Sequence, residues 1–426
     1  MSFDPPEEVQ TTPKEVQVEM ESSEKNEQFH LFHWFFTTSY YLCLVPFRPF
    51  KNEKTKTYEL HTNTLQKVLC YCSWMLIMLS QLTAIRYRWQ FGMSRRHPVI
   101  GYFKLFHAHV HACMYLSLFR ILHVKSSEII EMLNKISTST FLKTSGKTWW
   151  IASCTHLLWV MLGFIAPVIG YELIDIRKWD FELLLRSYAT MGRFSLFVEN
   201  DQPIFGKQDG MAPLHNDDVI YAFLQFVISV PYSFQLFTVV PLLSCCSITI
   251  WSATSTFVGE TLGLTSKIKS CVEGVEIETI SKQFRELKRL VNSINSVWNI
   301  FCFWYLIDIV AWYSTELDAG LVSSDYFVKF VIISYLASYT TLLVLSAESF
   351  RKMGHFCQWL SGLNDEENGY KNIGGLEREA SSAVIGIGSK GFFQFDYSSL
   401  AQVTVVIITY FIISVDKSIE RLAHEI

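Results

Sequence analysis

Charge is scarce in this sequence. Asp, Glu, Lys and Arg make up 18% of it, against about 25% in a soluble domain. The net charge is −4 and no polybasic stretch offsets it, so nucleic acid is not an expected partner. The N-terminus has neither a basic n-region nor an apolar h-region, so no cleavable signal peptide is expected. D-R-Y and N-P-x-x-Y patterns are missing from the helix ends where a G-protein-coupled receptor would carry them. There is no nucleophile–base constellation and no hydrolase elbow, so neither an enzyme nor a cofactor is expected. The one phosphate-loop lookalike, Gly386 to Gly391 ("GIGSKG"), joins helices instead of following a strand and reads as a flexible hinge.

What the chain has instead is oil. Half of its residues are hydrophobic, and apolar runs of about 20 residues, the length that crosses a bilayer, recur near 67–86, 99–122, 149–171, 219–241, 294–314, 326–346 and 397–415. The expected fold is therefore an all-α membrane protein with seven transmembrane helices. Residues 1–28 hold eight acidic residues against two lysines and read as a disordered cytoplasmic tail. Residues 29–64 read as a juxtamembrane segment, with 29–47 a helix against the bilayer. Residues 65–426 form the seven-helix domain.

Sidedness follows from the loop cations. With the N-terminus inside, the inner segments carry 20 Lys/Arg and the outer segments 11, which puts the C-terminus outside. None of the ten cysteines falls in an expected outer loop, so the outer disulfide of a rhodopsin-like receptor has no thiol to form it. A secondary transporter, the other alternative, calls for internal repeats that the sequence does not show.

Three of the spans continue inward. Ile277, Ile280, Phe284, Leu287, Val291 and Ile294 recur at steps of three and four with cations between them, an amphipathic helix that feeds directly into the fifth span. The fourth and sixth spans likewise run past Trp251 and Ser346. Cytoplasmic extensions are expected over about 252–293 and 347–396, assembled as an anchor bundle. The long second outer loop covers 172–218.

Polar residues inside the spans are the candidate site. His107 and His111 share a face of the second span with Lys104, while His109 points away. No carboxylate or cysteine nearby in the sequence completes a donor set, so no metal is expected and a polar cavity wall is the reading. On the fifth span Trp304, Asp308 and Trp312 form one stripe, with Asp308 roughly 10 Å below the outer surface at 1.5 Å per residue. Asp308 is expected either to pair with Lys104 or, with it, to line an outward ligand pocket walled by aromatics.

The last span, 397–417, carries a polar stripe: Ser398, Ser399, Gln402, Thr409, Asp416 and Lys417 gather on one face with Val405, Val406 and Ile413. Such a stripe must meet other polar helices or water. Several copies around an axis would make a pore, with Gln402, Val406, Thr409, Ile413, Asp416 and Lys417 along it.

The segment "GFFQFD…ITYFIISVDK" resembles the C-terminal signature of the invertebrate gustatory receptor family, Thr-Tyr followed by five hydrophobic residues and Gln-Phe. Gly391, Phe392, Phe393 and Asp396 match its lead-in and Thr409-Tyr410 its start, while Asp416-Lys417 stands where Gln-Phe is usual. "LVPF" (44–47) is similar to the Leu-x-Pro-Phe found before the first span. The resemblance implies a ligand-gated, non-selective cation channel of the plasma membrane. It implies assembly as a homotetramer, or as a hetero-oligomer with related receptors, the last helix lining the pore and the later helices' extensions anchoring the subunits. It also implies a small-molecule ligand such as a sugar, a bitter compound or carbon dioxide, or in some members a response to light or oxidants.

Overall fold

A computed structural model of the 426-residue chain describes residues 27–52, 54–55, 57–92, 98–142, 146–169, 180–198, 216–267, 274–322, 326–365, 373–389, 393–409 and 412. The first helix, α1 (Glu27–Tyr41), is followed by an antiparallel hairpin of β1 (Arg48–Lys51) and β2 (Tyr58–His61). Then come α2 (Thr64–Tyr87), closed by a π-helical turn over Arg88–Gly92, α3 (Pro98–Val124), α4 (Ser126–Thr138), α5 (Gly146–Ile169) and α6 (Phe181–Ser195). Three long helices follow: α7 (Asn216–Lys267), α8 (Gly274–Val322) and α9 (Tyr326–Asp365). The short α10 (Ile373–Ser381), a second hairpin of β3 (Gly388–Ser389) and β4 (Phe393–Gln394), and the last helix α11 (Tyr397–Thr409) complete the described chain.

Over its described residues, every apolar run picked out in the sequence is helical. Among the described residues, four helices are long and apolar enough to cross a bilayer: Thr64–Phe91, Pro241–Gly263, Ile277–Ser314 and Lys329–Leu363. His156–Ile169 and Tyr397–Thr409 are shorter apolar helices. Burial is inverted relative to a soluble protein. Gln81, Gln225, Gln235, Thr249, Thr254 and Asp308 are buried, while Met75, Leu82, Phe106, Phe164, Phe223 and Ile333 are at least half exposed. Apolar surface this extensive is stable only in lipid or under a partner. The chain is a multi-pass helical membrane protein.

The long helices run unbroken past Trp251, from Gly274 through the fifth apolar run, and past Ser346 to Asp365. The six-residue stripe from Ile277 to Ile294 is buried throughout. Its centre, Phe284, meets Phe257 of α7 and Phe356 of α9 at ring-centroid distances of 6.1 and 6.0 Å, and those two meet each other at 5.0 Å. Three fully buried rings therefore tie the three helices at one level. Offset and edge-on contacts of this kind add about 0.5–1.5 kcal/mol per pair beyond area burial.

Three parts of the sequence reading change. Helix α1 was expected to lie against the bilayer, but its Phe32, Phe35 and Phe36 are buried in the main core. The "LVPF" segment after it is buried too, and Trp74 Nε1 of α2 donates to the Leu44 carbonyl at 2.9 Å. The stretch expected as the second outer loop contains a helix, α6, capped by Asp180 and held to α7 by the Arg193–Asp218 ion pair at 2.5 Å. Gly192 permits that crossing, because a β-carbon there would collide with the Tyr221 carbonyl. Finally, "GIGSKG" is no hinge over its described part: Gly386 to Ser389 enter the β3–β4 hairpin, flanked by the buried Ile385 and Ile387. Of the acidic tail, residues 1–26 lie outside the described residues.

Candidate functional site

Two arrangements carry the candidate residues, one between α3, α7 and α8 and the other along α11. In the first, α3 and α8 pack side by side. Helical spacing puts His107 and His111 one turn apart on the face of α3 turned to α8, their rings 5.6 Å apart. Asp308 of α8 projects between them. Its Oδ1 lies 2.9 Å from His111 Nδ1 and 3.3 Å from His107 Nε2. On the far side of His111, Tyr232 of α7 brings its hydroxyl to 3.5 Å from Nε2, and Tyr115 packs edge-on against the imidazole at 4.9 Å. His109 is turned away, its Nδ1 on the Leu105 carbonyl at 2.8 Å.

This corrects two expectations. The carboxylate meets imidazoles where the sequence offered Lys104, because the register between α3 and α8 sets the pairing and depth along a single helix does not. A third donor for the histidine pair, judged missing, is present and comes from 197 residues away. The side chains of His107, His111 and Asp308 are 16%, 12% and 10% exposed, so the carboxylate has left water. A buried carboxylate is tolerable only with such partners, and losing one partner of a buried pair typically costs about 3–5 kcal/mol.

The two tryptophans of the stripe pack on other aromatic rings. Trp312 packs on Tyr313 at 4.8 Å and on Tyr335 of α9 at 5.8 Å, and Tyr335 in turn meets Trp159 of α5 at 4.9 Å. Trp304 sits against its neighbour Phe303 at 5.6 Å. Asp308, His107 and His111 thus come together, with an aromatic chain from α8 through α9 to α5 beside them. A cavity of 280 Å³ lies elsewhere, between α4 and α8, lined by Glu128, Glu131, Lys135, Arg289, Asn292 and Ser293. Its mixed charges suit water better than an apolar ligand.

The second arrangement begins at the β3–β4 hairpin. Phe393 packs on Phe303 at 5.7 Å and on the buried Phe395 at 5.4 Å. Asp396 then starts α11 as its N-cap: its Oδ1 accepts from Ser399 N at 2.7 Å and from Ser399 Oγ at 2.8 Å, and its carbonyl receives Leu400 N at 3.0 Å. That gives the acidic residue of the motif a physical task, since a capping carboxylate satisfies an orphan N–H at the helix start. Along α11, Leu400, Val403 and Ile407 pack on the core, whereas Gln402, Val406 and Thr409 are exposed. At 100° per residue the exposed three lie toward the opposite side of the helix. Gly391, Phe392, Tyr410, Ile413, Asp416 and Lys417 lie outside the described residues.

Sequence reasoning missed Tyr232, Tyr115 and the residues that latch the hairpin. Asn295 Nδ2 donates to the Gly386 carbonyl at 2.8 Å, and Ser346 Oγ accepts from Ile387 N at 2.9 Å. The polar residues Asn292, Ser293, Asn295 and Ser296 around the apolar Ile294 were the available signal for Asn295.

Two solved structures share this architecture. One is the insect olfactory receptor OR5 from Machilis hrabei, at a TM-score of 0.53 and 14% identity over 91% of this chain and 98% of that one. The other is the same receptor in complex with eugenol, at a TM-score of 0.50 and 13% identity over 92% of this chain and 99% of that one. No family model and no curated protein sequence matches the chain. Likeness at this identity is likeness of fold. The chain has the fold of these insect olfactory receptor structures.

Proposed function

We propose that this chain is a subunit of a gustatory-receptor-like, ligand-gated, non-selective cation channel of the plasma membrane. Seven spans place the N-terminus in the cytosol and the C-terminus outside. Four copies surround an axis, the last helix of each lines the pore, and the extensions of α7, α8 and α9 anchor the assembly. A small molecule reaching the site between α3, α7 and α8 from outside drives opening.

One observation supports this reading above the rest: over its described residues, α11 is a helix that its own subunit leaves largely uncovered. Among its described residues, Leu400, Val403 and Ile407 pack on the core, while the polar Gln402, Thr404 and Thr409 stand exposed beside Val405 and Val406. A helix with hydroxyl and amide groups on its outer face gains nothing from lipid tails, whereas symmetry-related copies could enclose a wet axis with it. The signature resemblance and the shared fold point the same way. Receptor neighbours, rather than enzymes, agree with the lack of catalytic groups in the sequence.

Whole-cell recording from cells expressing this chain alone tests the proposal. The stimulus panel combines sugars, bitter compounds, small aromatics of the eugenol type, carbon dioxide, light and peroxide. At least one stimulus should evoke a current that reverses near 0 mV in mixed cations and persists when G proteins are blocked. Responses that vanish under that block would overturn the channel assignment.

A further inference from the structure

We propose that His107, His111 and Asp308 form a binding site for a divalent transition-metal ion, zinc by donor type, that joins α3 to α8. The donor atoms His107 Nε2, His111 Nδ1 and Asp308 Oδ1 all lie within 4.8 Å of one another. The two nitrogens are 3.3 and 2.9 Å from the shared oxygen. A tetrahedral zinc ion with bonds of about 2.0–2.1 Å has donor–donor edges of about 3.3 Å. Two of the three edges are therefore close to those of one face of that tetrahedron, and the third, between the two nitrogens, is no longer than 4.8 Å.

Hydrogen bonding alone accounts less well for the same atoms. His107 Nε2 is buried and 3.3 Å from the carboxylate oxygen, but it has no hydrogen bond of acceptable alignment. An imidazole nitrogen near an acceptor yet not aimed at it is what three donors directed at a common centre produce. On the other side of His111, the Tyr232 hydroxyl stands 3.5 Å from Nε2, where it can orient the ring as outer partners of ligating histidines do. The side chains are 10–16% exposed, so little water competes for the ion.

The donor chemistry narrows the ion. Two imidazoles and one carboxylate suit Zn²⁺, Cu²⁺ or Ni²⁺, whereas Mg²⁺ and Ca²⁺ call for oxygen ligands and Cu⁺ for sulfur. Three protein ligands leave a fourth position for water or for a small Lewis base. A local internal control is built in: His109 lies between the two ligands in sequence, but its Nδ1 is on the Leu105 carbonyl.

The test is equilibrium binding and is independent of whether the chain conducts. Full-length protein in nanodiscs is stripped with a chelator and titrated with Zn²⁺ against a chromophoric indicator, then with Co²⁺ to record its visible d–d bands. Wild type should take up one ion per chain with the intense bands of tetrahedral Co²⁺. His107→Ala, His111→Ala and Asp308→Asn should each weaken binding by at least about 100-fold, and His109→Ala by no more than about 2-fold. If the alanine variants fail to elute as folded protein, His111→Cys decides. It retains a donor, so it should keep the site and add a sulfur-to-cobalt charge-transfer band. Absence of stoichiometric binding in wild type, equal binding by the double variant His107→Ala/His111→Ala, or loss of the site in a folded His111→Cys overturns the proposal.

Discussion

The side chain of Asn295 holds the backbone of Gly388: the Gly388 N–H donates to Asn295 Oδ1 at 3.3 Å, while Asn295 Nδ2 donates to the Gly386 carbonyl two residues earlier at 2.8 Å. Ser346 of α9 takes the intervening Ile387 N–H at 2.9 Å. The β3–β4 hairpin is thereby laced to both α8 and α9 just ahead of Asp396, where the last helix is capped. These bonds couple the start of α11 to both α8 and α9.

Asn295→Ala leaves a carbonyl and an N–H without their partner and should cost about 1–3 kcal/mol. Gly388→Ala should cost more, because a β-carbon there would stand 2.6 Å from the Phe393 carbonyl and 2.9 Å from Gln394 Cα across the hairpin. Thermal unfolding followed by fluorescence-detected gel filtration checks both. Midpoints equal to wild type for the pair would show that the hairpin bears no strain from either change.

Much of this fold was readable because period and composition are local properties. The stripe from Ile277 to Ile294 predicted its own burial, and the apolar runs predicted helices. The site was readable only by halves. His107 and His111 on one wheel and Asp308 on another were each recognisable as polar residues in oily helices, yet which of them meet depends on the axial register of α3 against α8, which no single helix encodes. Helix α6 was legible in principle: Asp180 and Glu182 give a capped, acidic start, and Leu183, Leu184, Ser187, Tyr188 and Gly192 recur on its buried face. It was passed over because its length and polarity fit a loop between spans. The hairpin at Gly388 could not be anticipated, because two-residue strands carry no period and its partners lie on α8 and α9.

Acid should loosen the contact between α8 and α10. Glu379 of α10 lies 2.8 Å from Lys288 and 3.4 Å from Arg285, and the hydrogen bond from Lys288, with Arg285 adding less, lowers its pKa below the ordinary 4.5. A depressed carboxylate stabilises fully above its unfolded pKa and loses that contribution as pH falls through the lower folded value. Glu379→Gln should therefore be less stable than wild type at pH 7 by on the order of 1 kcal/mol, since both partners are partly exposed. The gap should close from about pH 4.5 downward and narrow with added salt. A gap that stays constant into acid would assign the effect to packing.

Topology separates the channel proposal from a G-protein-coupled receptor directly. The excess of Lys/Arg in the expected inner segments, 20 against 11, orients the N-terminus inward. An epitope at the C-terminus should stain on intact cells and one at the N-terminus only after permeabilisation. The reverse staining would sink both the proposed pore and the anchor bundle.

The outer end of the proposed pore makes the sharpest electrical prediction. On the proposed pore helix Ile413 would follow Thr409 by one turn, so four copies would form an apolar constriction that closes by excluding water. Just beyond it, fourfold symmetry would turn Asp416 and Lys417 into two charged rings. A lysine ring facing the lumen would repel cations, and an aspartate ring would concentrate them. The long Lys417 stem can snorkel to headgroups or reach a neighbouring subunit's carboxylate, whereas the short Asp416 side chain cannot retreat. Asp416 should therefore set the lumen potential. Asp416→Asn should lower single-channel cation conductance more than Lys417→Gln changes it, most strongly at low ionic strength, where the Debye length grows from about 10 Å at 0.1 M to about 30 Å at 0.01 M. A sharp rise in conductance for Lys417→Gln, with Asp416→Asn unchanged, would instead make Lys417 the residue that faces the permeating ion.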